Sequence, residues 1–448
     1  MDAAELDHRS RTRDGWIPPD LVARLIDRGH ADTVRERALD GDWFCARGRA
    51  RDLAARGRAE EALAALAPYA ATGWWDAVGE NAELLDRTGR TEEAARLVRP
   101  YAEAGERAAL RHLALMLSRQ GRAGEAYALL RPHIGDRFLA EPLVEVSAGQ
   151  GRDEEVAALL RDRARPDRPC GRCGGAQCPG GGARPSNAAA LLAAVLERQG
   201  RTDEAVEVLR THPYAPVGGR DPLAELLARH GRIDDLRARA AASGDEYAAR
   251  RLAELLESRG DVAGAVEAYR PHAAAGRGRA SVLLARLLAR HGRGDEAVDV
   301  LRALDSADDW ILDELCALYA AGGRSEEGLA HLDAVKAQRG REEWEVFRLR
   351  AHLLAGCGRL DEAVEGIRAH LEGATPYAAE ELARLLAGAG RPEEAVAVLD
   401  PELPDHGRAL AELLLDLGRI DEAVAVLRRP HPPIPPPDPA GYSDCPPF

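Results

Sequence analysis

Lysine is almost missing from this chain. Of 61 basic side chains only Lys336 is lysine, and the rest are arginine. Aromatic residues fill just 4% of the 448 positions. A core with so few rings must be built from leucine, alanine and valine, a mixture that favours helices. The arginine bias, with abundant alanine, glycine and proline, is what GC-rich bacterial coding produces, so arginine alone is no argument for nucleic-acid binding. Positive charge is in deficit overall: the net charge is −14, which repels phosphate backbones. Long hydrophobic runs are also lacking. The longest, Ala188–Leu196, is nine residues, against the roughly 20 that a membrane span needs. The opening MDAAELDHRSRTRDGW has no apolar stretch of the secretory type. A cytoplasmic chain with reduced thiols is the expectation. No phosphate loop of the form GxxxxGK[ST], no HExxH and no GxSxG occurs, so no enzyme is expected.

What is present is one phrase, repeated: Gly-Arg, two residues, then Glu-Ala. It stands as GRAEEA at Gly57, GRTEEA at Gly89, GRAGEA at Gly121, GRTDEA at Gly200, GRGDEA at Gly292, GRLDEA at Gly358, GRPEEA at Gly390 and GRIDEA at Gly418. Degenerate copies begin at Gly29, Gly151, Gly231, Gly260 and Gly323. The glycines recur every 28 to 35 residues, apart from one interval of 49. Glycine ends a helix cheaply because it accepts the left-handed conformation. Thr91, Thr202 or Ser325 is then placed to cap the next helix, and the acidic pair behind it suits the positive end of the helix dipole. The arginine after the glycine, such as Arg90 or Arg122, reads as a turn and C-cap residue. Leucines before each glycine recur at helical spacing. Each unit is thus a longer helix A, a tight turn and a shorter helix B.

The positions inside the unit carry a resemblance. The eighth residue before the glycine is commonly leucine (Leu113, Leu252, Leu382), the seventh small (Ala82, Ala114, Ala253) and the fourth leucine (Leu85, Leu117, Leu256). Alanine follows five after it (Ala94, Ala126, Ala265) and a larger apolar residue nine after it (Leu66, Val98, Leu130). This small-and-large spacing resembles the tetratricopeptide repeat (TPR), with leucine in place of the family's aromatics. The resemblance implies an all-α, right-handed α-solenoid of about thirteen antiparallel helical hairpins, a TPR-like superhelix. Residues 1–17 are expected to be a disordered N-terminal arm, 18–429 one continuous array with a Gly/Pro/Cys-rich insertion at 165–185, and 430–448 a disordered proline-rich tail.

Helical-repeat arrays usually bind other chains. The resemblance implies a concave groove, lined by the A helices, that takes a protein or peptide. Two residues before the glycine stand Arg87, Arg119, Arg198, Arg229 and Arg290. In a stack they would form a basic ladder suited to an acidic peptide or a C-terminal carboxylate; the bland reading is a solvated face in an arginine-rich chain, with Glu83, Glu225 and Glu254 one turn earlier to neutralise it. Trp75, Trp310 and Trp344, near the starts of A helices, are either binding anchors or core. Neither nucleic acid nor a membrane is the expected partner.

The long interval contains RPDRPCGRCGGAQCPGGGARP, from Arg165 to Pro185. Cys170, Cys173 and Cys178 supply three ligands where structural zinc takes four. The fourth could be His133 or His212, in the equivalent turns on either side. Free thiols in a loop, a zinc site and a redox CxxC remain as three readings. The expected function is a non-enzymatic binding scaffold; the alternatives are a zinc-binding or redox-responsive adaptor and an accessory subunit of an enzyme or regulatory complex.

Overall fold

The computed structural model describes residues 1–13, 15–165, 185–212, 221–243, 245–304 and 308–429. Among them are 27 α-helices and two short 3-10 helices, and no strand. The hairpin of helices Trp75–Arg87 and Thr91–Glu103 shows how the repeated phrase works. Gly89 has φ +80°. In that conformation its N–H reaches the carbonyl of Asp86 at 3.1 Å, and the N–H of Arg90 reaches that of Leu85 at 2.8 Å. This pair of bonds is the Schellman closure of a helix end. All thirteen turn glycines expected from the sequence have positive φ, from +62° at Gly231 to +87° at Gly29.

Helix A then packs on helix B through the small positions. Ala82 and Ala94 are fully buried, as is Val98. Small side chains let the helix axes approach, and the larger ones fill the space beside them. Second glycine turns, at Gly73 and Gly105 (φ +78° and +85°), return the chain to the next helix A. Prolines 68, 100 and 271 lie inside B helices, while Pro132 sits in the 3-10 helix Arg131–His133. No helix among the described residues is long and apolar enough to cross a membrane.

Three expectations are corrected. The N-terminal arm is ordered: Ala3–Thr12 is a helix capped by Asp2, and Leu6, Trp16 and Ile17 are buried. The Ile17 N–H donates to Asp42 Oδ2 at 2.8 Å, and Trp16 meets Phe44 edge-on. The arm's apolar residues are too sparse to read as an amphipathic pattern, yet they seal the exposed flank of helix Trp43–Ala55. The array is also divided. Its backbone separates into two compact units, built chiefly from Met1–Ala215 and from Pro216–Val426. The division falls in the Pro/Gly-rich stretch HPYAPVGGR of the sequence. Finally, Thr91, Thr202 and Ser325 are the first residues of their helices and make no cap; the preceding arginine holds that place.

Within the first unit the stack continues across the insertion. Helix Pro185–Arg198 packs on Asp153–Arg163. The Arg198 guanidinium donates to the Val144 carbonyl at 2.8 Å and to the buried Ser147 Oγ at 3.0 Å, and pairs with Asp153. The inserted residues 166–184 therefore lie between two hairpins that contact each other directly.

Candidate functional site

Where arginine follows the turn glycine, it does more than close a turn. It grips the glutamate three residues on with two parallel hydrogen bonds, as Arg90 does with Glu93 at 2.9 and 2.8 Å. Its remaining nitrogen reaches back one hairpin, from Arg90 to Glu60 and from Arg122 to Glu92. In the second unit four such links run in succession: Arg324–Asp295, Arg359–Glu326, Arg391–Asp361 and Arg419–Glu393. The chain of links stops where the acidic residue is replaced, by Gly124 before Arg152 and by Ala263 before Arg293. The arginine pairing holds Glu93, Glu125, Glu296 and Glu394 below the usual glutamate value of 4.5.

The arginines two before the glycine are committed as well. Arg87 pairs with Glu83 on its own helix. Arg119 reaches Asp86 of the preceding hairpin, and Arg290 reaches Glu257, where His291 also points. Arg198 makes the contacts already described. Arg229 is the last residue of helix Pro222–Arg229. These side chains stitch hairpins together, and the basic ladder offers a ligand little uncommitted charge.

The open surface lies further up the same helical stripe. Counting back from the glycine, A helices present the residues at 6, 9 or 10 and 13 or 14. In the first unit they line a groove of about 670 Å³ whose wall includes Trp75, His112 and Phe138. Trp75 is half-buried, 5.7 Å from Tyr101 and edge-on to His112 at 6.2 Å. Phe138 is 40% exposed, with the Arg107 and Arg111 guanidinium groups each 5.4 Å from its ring centre. Glu80, Glu83 and Asp86 in this groove are already paired, with Arg51, Arg87 and Arg119. Among the described residues Arg47 and Arg111 have no carboxylate within ion-pairing distance; Arg47 rests over the Phe44 ring. Burial, with Arg51 nearby, lowers the Arg47 pKa, and burial raises that of Asp76. The His112 Nε2 is sealed from water with no partner, and burial lowers its pKa.

A separate groove of about 680 Å³ lies in the second unit, between helices Trp344–Gly356 and Pro376–Gly388. Trp344 is buried there among Phe347, His370 and Tyr377, with ring centres 5.4 to 6.3 Å away. Trp310 stands apart, 48% exposed and covering Gly278 of the preceding helix A. The three tryptophans thus occupy three environments and form no common site. Arg47, Arg111 and Phe138 in one groove, and Tyr377, Glu380 and Glu381 in the other, were not singled out from the sequence. Extending the arginine position back by about two and three helical turns would have reached all of them.

Cys170, Cys173 and Cys178 lie outside the described residues. His133 is half-exposed in its 3-10 turn, and the His212 Nδ1 lies 2.9 Å from the Val208 carbonyl oxygen, closing its own helix. Among the described residues no group of histidine, cysteine and carboxylate side chains is arranged to hold a metal.

Stacked hairpins with glycine turns, small-residue helix contacts and open A-helix grooves define a helical-repeat protein. The tetratricopeptide-repeat family model matches residues 43–68, 78–100, 187–211, 376–401 and 404–429. The chain is a TPR-like helical-repeat protein. Similar solved structures include a tetratricopeptide repeat protein from Parabacteroides merdae, at 12% identity over 55% of this chain and 99% of that one, with a TM-score of 0.29. Another is Naa15/Naa10 bound to HypK-THB, at 13% identity over 85% of this chain and 67% of that one, with a TM-score of 0.31. No curated protein matches the chain in sequence.

Proposed function

We propose that the chain is a non-enzymatic scaffold that holds segments of partner proteins against its A helices, and that the groove of the first unit takes an acidic peptide. The observation that carries this reading is the exposed Phe138 ring with the Arg111 guanidinium over it, an arginine with no carboxylate within ion-pairing distance, and Arg47 lining the same groove. An apolar side chain of the partner covers Phe138 and Trp75. A neighbouring carboxylate meets Arg111 or Arg47 through charge-assisted hydrogen bonds, which are stronger than neutral ones. The sequence-based expectation of an acidic partner is kept here, but the arginines that serve it are different ones. Affinity capture from a native lysate, with intact protein and an Arg47→Glu/Arg111→Glu variant side by side, is the test. A partner held by the first and released by the second supports the reading. Equal capture by both, with unchanged circular dichroism, removes this groove from consideration.

A further inference from the structure

The lining of the first groove holds four arginines and four carboxylates, whereas that of the second unit's groove carries an excess of carboxylates. Of its carboxylates, Glu343 is matched by Arg341, and Glu345 lies 3.4 Å from Arg348, which also turns to Asp313 at 3.2 Å. Glu381, with a side chain 3% exposed, meets His352 from the preceding A helix and Arg384 on its own helix. Its Oε1 is 2.5 Å from the His352 Nε2 but without hydrogen-bond alignment. Glu372 accepts a hydrogen bond from the Tyr377 hydroxyl and has no cation beside it, and Glu380 has no partner among the described residues. Five carboxylates therefore face three arginines, and two of the five are uncompensated. Beside them stands Tyr377, 46% exposed, with its ring 5.6 Å from buried Trp344.

A carboxylate excess against an exposed ring is a receptor for a cation. An aromatic face attracts a cation laid over it, and a planar guanidinium can stack on the ring while giving two hydrogen bonds to a carboxylate. The cavity is large enough for a side chain with part of its backbone, being within the range of small-ligand pockets. We propose that the second unit binds a basic peptide segment, with an arginine side chain seated between the Tyr377 ring and the carboxylates of Glu380 and Glu372. This goes beyond the acidic-peptide groove of the first unit. It makes the chain a scaffold for two segments of opposite charge, each recognised within its own unit.

The test selects a display library of random dodecapeptides on the full chain, then measures the enriched peptides by fluorescence anisotropy in 0.15 M salt. The expected result is enrichment of arginine-containing, net-positive sequences. Their binding should weaken about tenfold in Glu372→Gln/Glu380→Gln, as loss of charge-assisted hydrogen bonds implies, and weaken again in Tyr377→Ala. It should be unchanged in Arg111→Gln. A control pair, Glu207→Gln/Glu365→Gln, removes the same charge from exposed sites on B helices. Basic peptides weakened equally by that control reveal only attraction to an acidic chain and overturn the proposal. If every enriched peptide depends on Arg111 and ignores Glu372 and Glu380, the proposal is overturned too, while the first-unit reading stands. Absence of any enriched peptide overturns both.

Discussion

At the residue scale, the array is written in compensating pairs. Most hairpins set a leucine four before the turn glycine against an alanine five after it. In the hairpin around Gly323 the leucine is Tyr319 and the alanine is Gly328. A Cβ added at Gly328 would lie 2.8 Å from Leu353 Cδ1 and 3.2 Å from Tyr319. Gly328→Ala should therefore destabilise by about 1–3 kcal/mol, the usual range for overpacking. Tyr319→Leu in the same chain should recover part of that loss, because it restores the leucine-and-alanine pair of the neighbouring hairpins. Urea unfolding of both single variants and the double variant gives the coupling; effects that add within about 0.5 kcal/mol would show the two sites to be independent. Gly89→Ala acts differently. There the space around the Cβ is open, and the cost is the left-handed backbone at φ +80°, about 1–2 kcal/mol.

At the scale of the element, many B helices begin with an arginine that belongs to two hairpins, as at Arg90, Arg122, Arg324 and Arg391. The paired glutamates carry folded-state pKa values below their ordinary 4.5. A depressed carboxylate contributes stability that is fully present above the unfolded value and is lost as pH falls through the folded one. Melting temperature should thus hold steady above about pH 4.5 and fall progressively below it. Arg391→Gln with Arg419→Gln removes two links from the run of four and should flatten that acid slope. Added salt should weaken the wild-type effect, because these groups are exposed and screened. An identical pH profile in the variant would show that the links are geometric and not energetic. The sequence announced the glycine and the acidic pair. It did not announce the backward reach of the arginine, because that contact joins residues about 30 positions apart and depends on how hairpins stack.

At the scale of the whole molecule, helical arrays gain their stability from each hairpin and its neighbours. The chain folds as two compact units, so calorimetry should resolve two unfolding transitions, and a single one would show that the units melt together. Deleting residues 166–184 and bridging the ends with a short flexible linker should leave helical content and the first unit's melting unchanged. The reason is that Arg198 joins helix Pro185–Arg198 to Val144, Ser147 and Asp153 without the insertion. A drop in melting of more than a few degrees would give the insertion a structural role.

The helical class, the turn positions and the small-and-large pairing were legible in the sequence, because each rests on local physics: glycine's tolerance of positive φ, helical periodicity and the volume of side chains one or two turns apart. The match at 43–68 and four further segments follows from the same local pattern. The order of residues 1–17, the division into two units and the commitment of the arginine ladder were decided by tertiary structure. Leu6, Trp16 and Ile17 are ordered only by the flank they cover, and Arg119 is neutralised only by Asp86 of the hairpin before it. Charge listed along a chain says nothing of which charges cancel. Only the packed helices determined that the first groove leaves Arg111 outside any ion pair and the second leaves Glu372 and Glu380 without a cation.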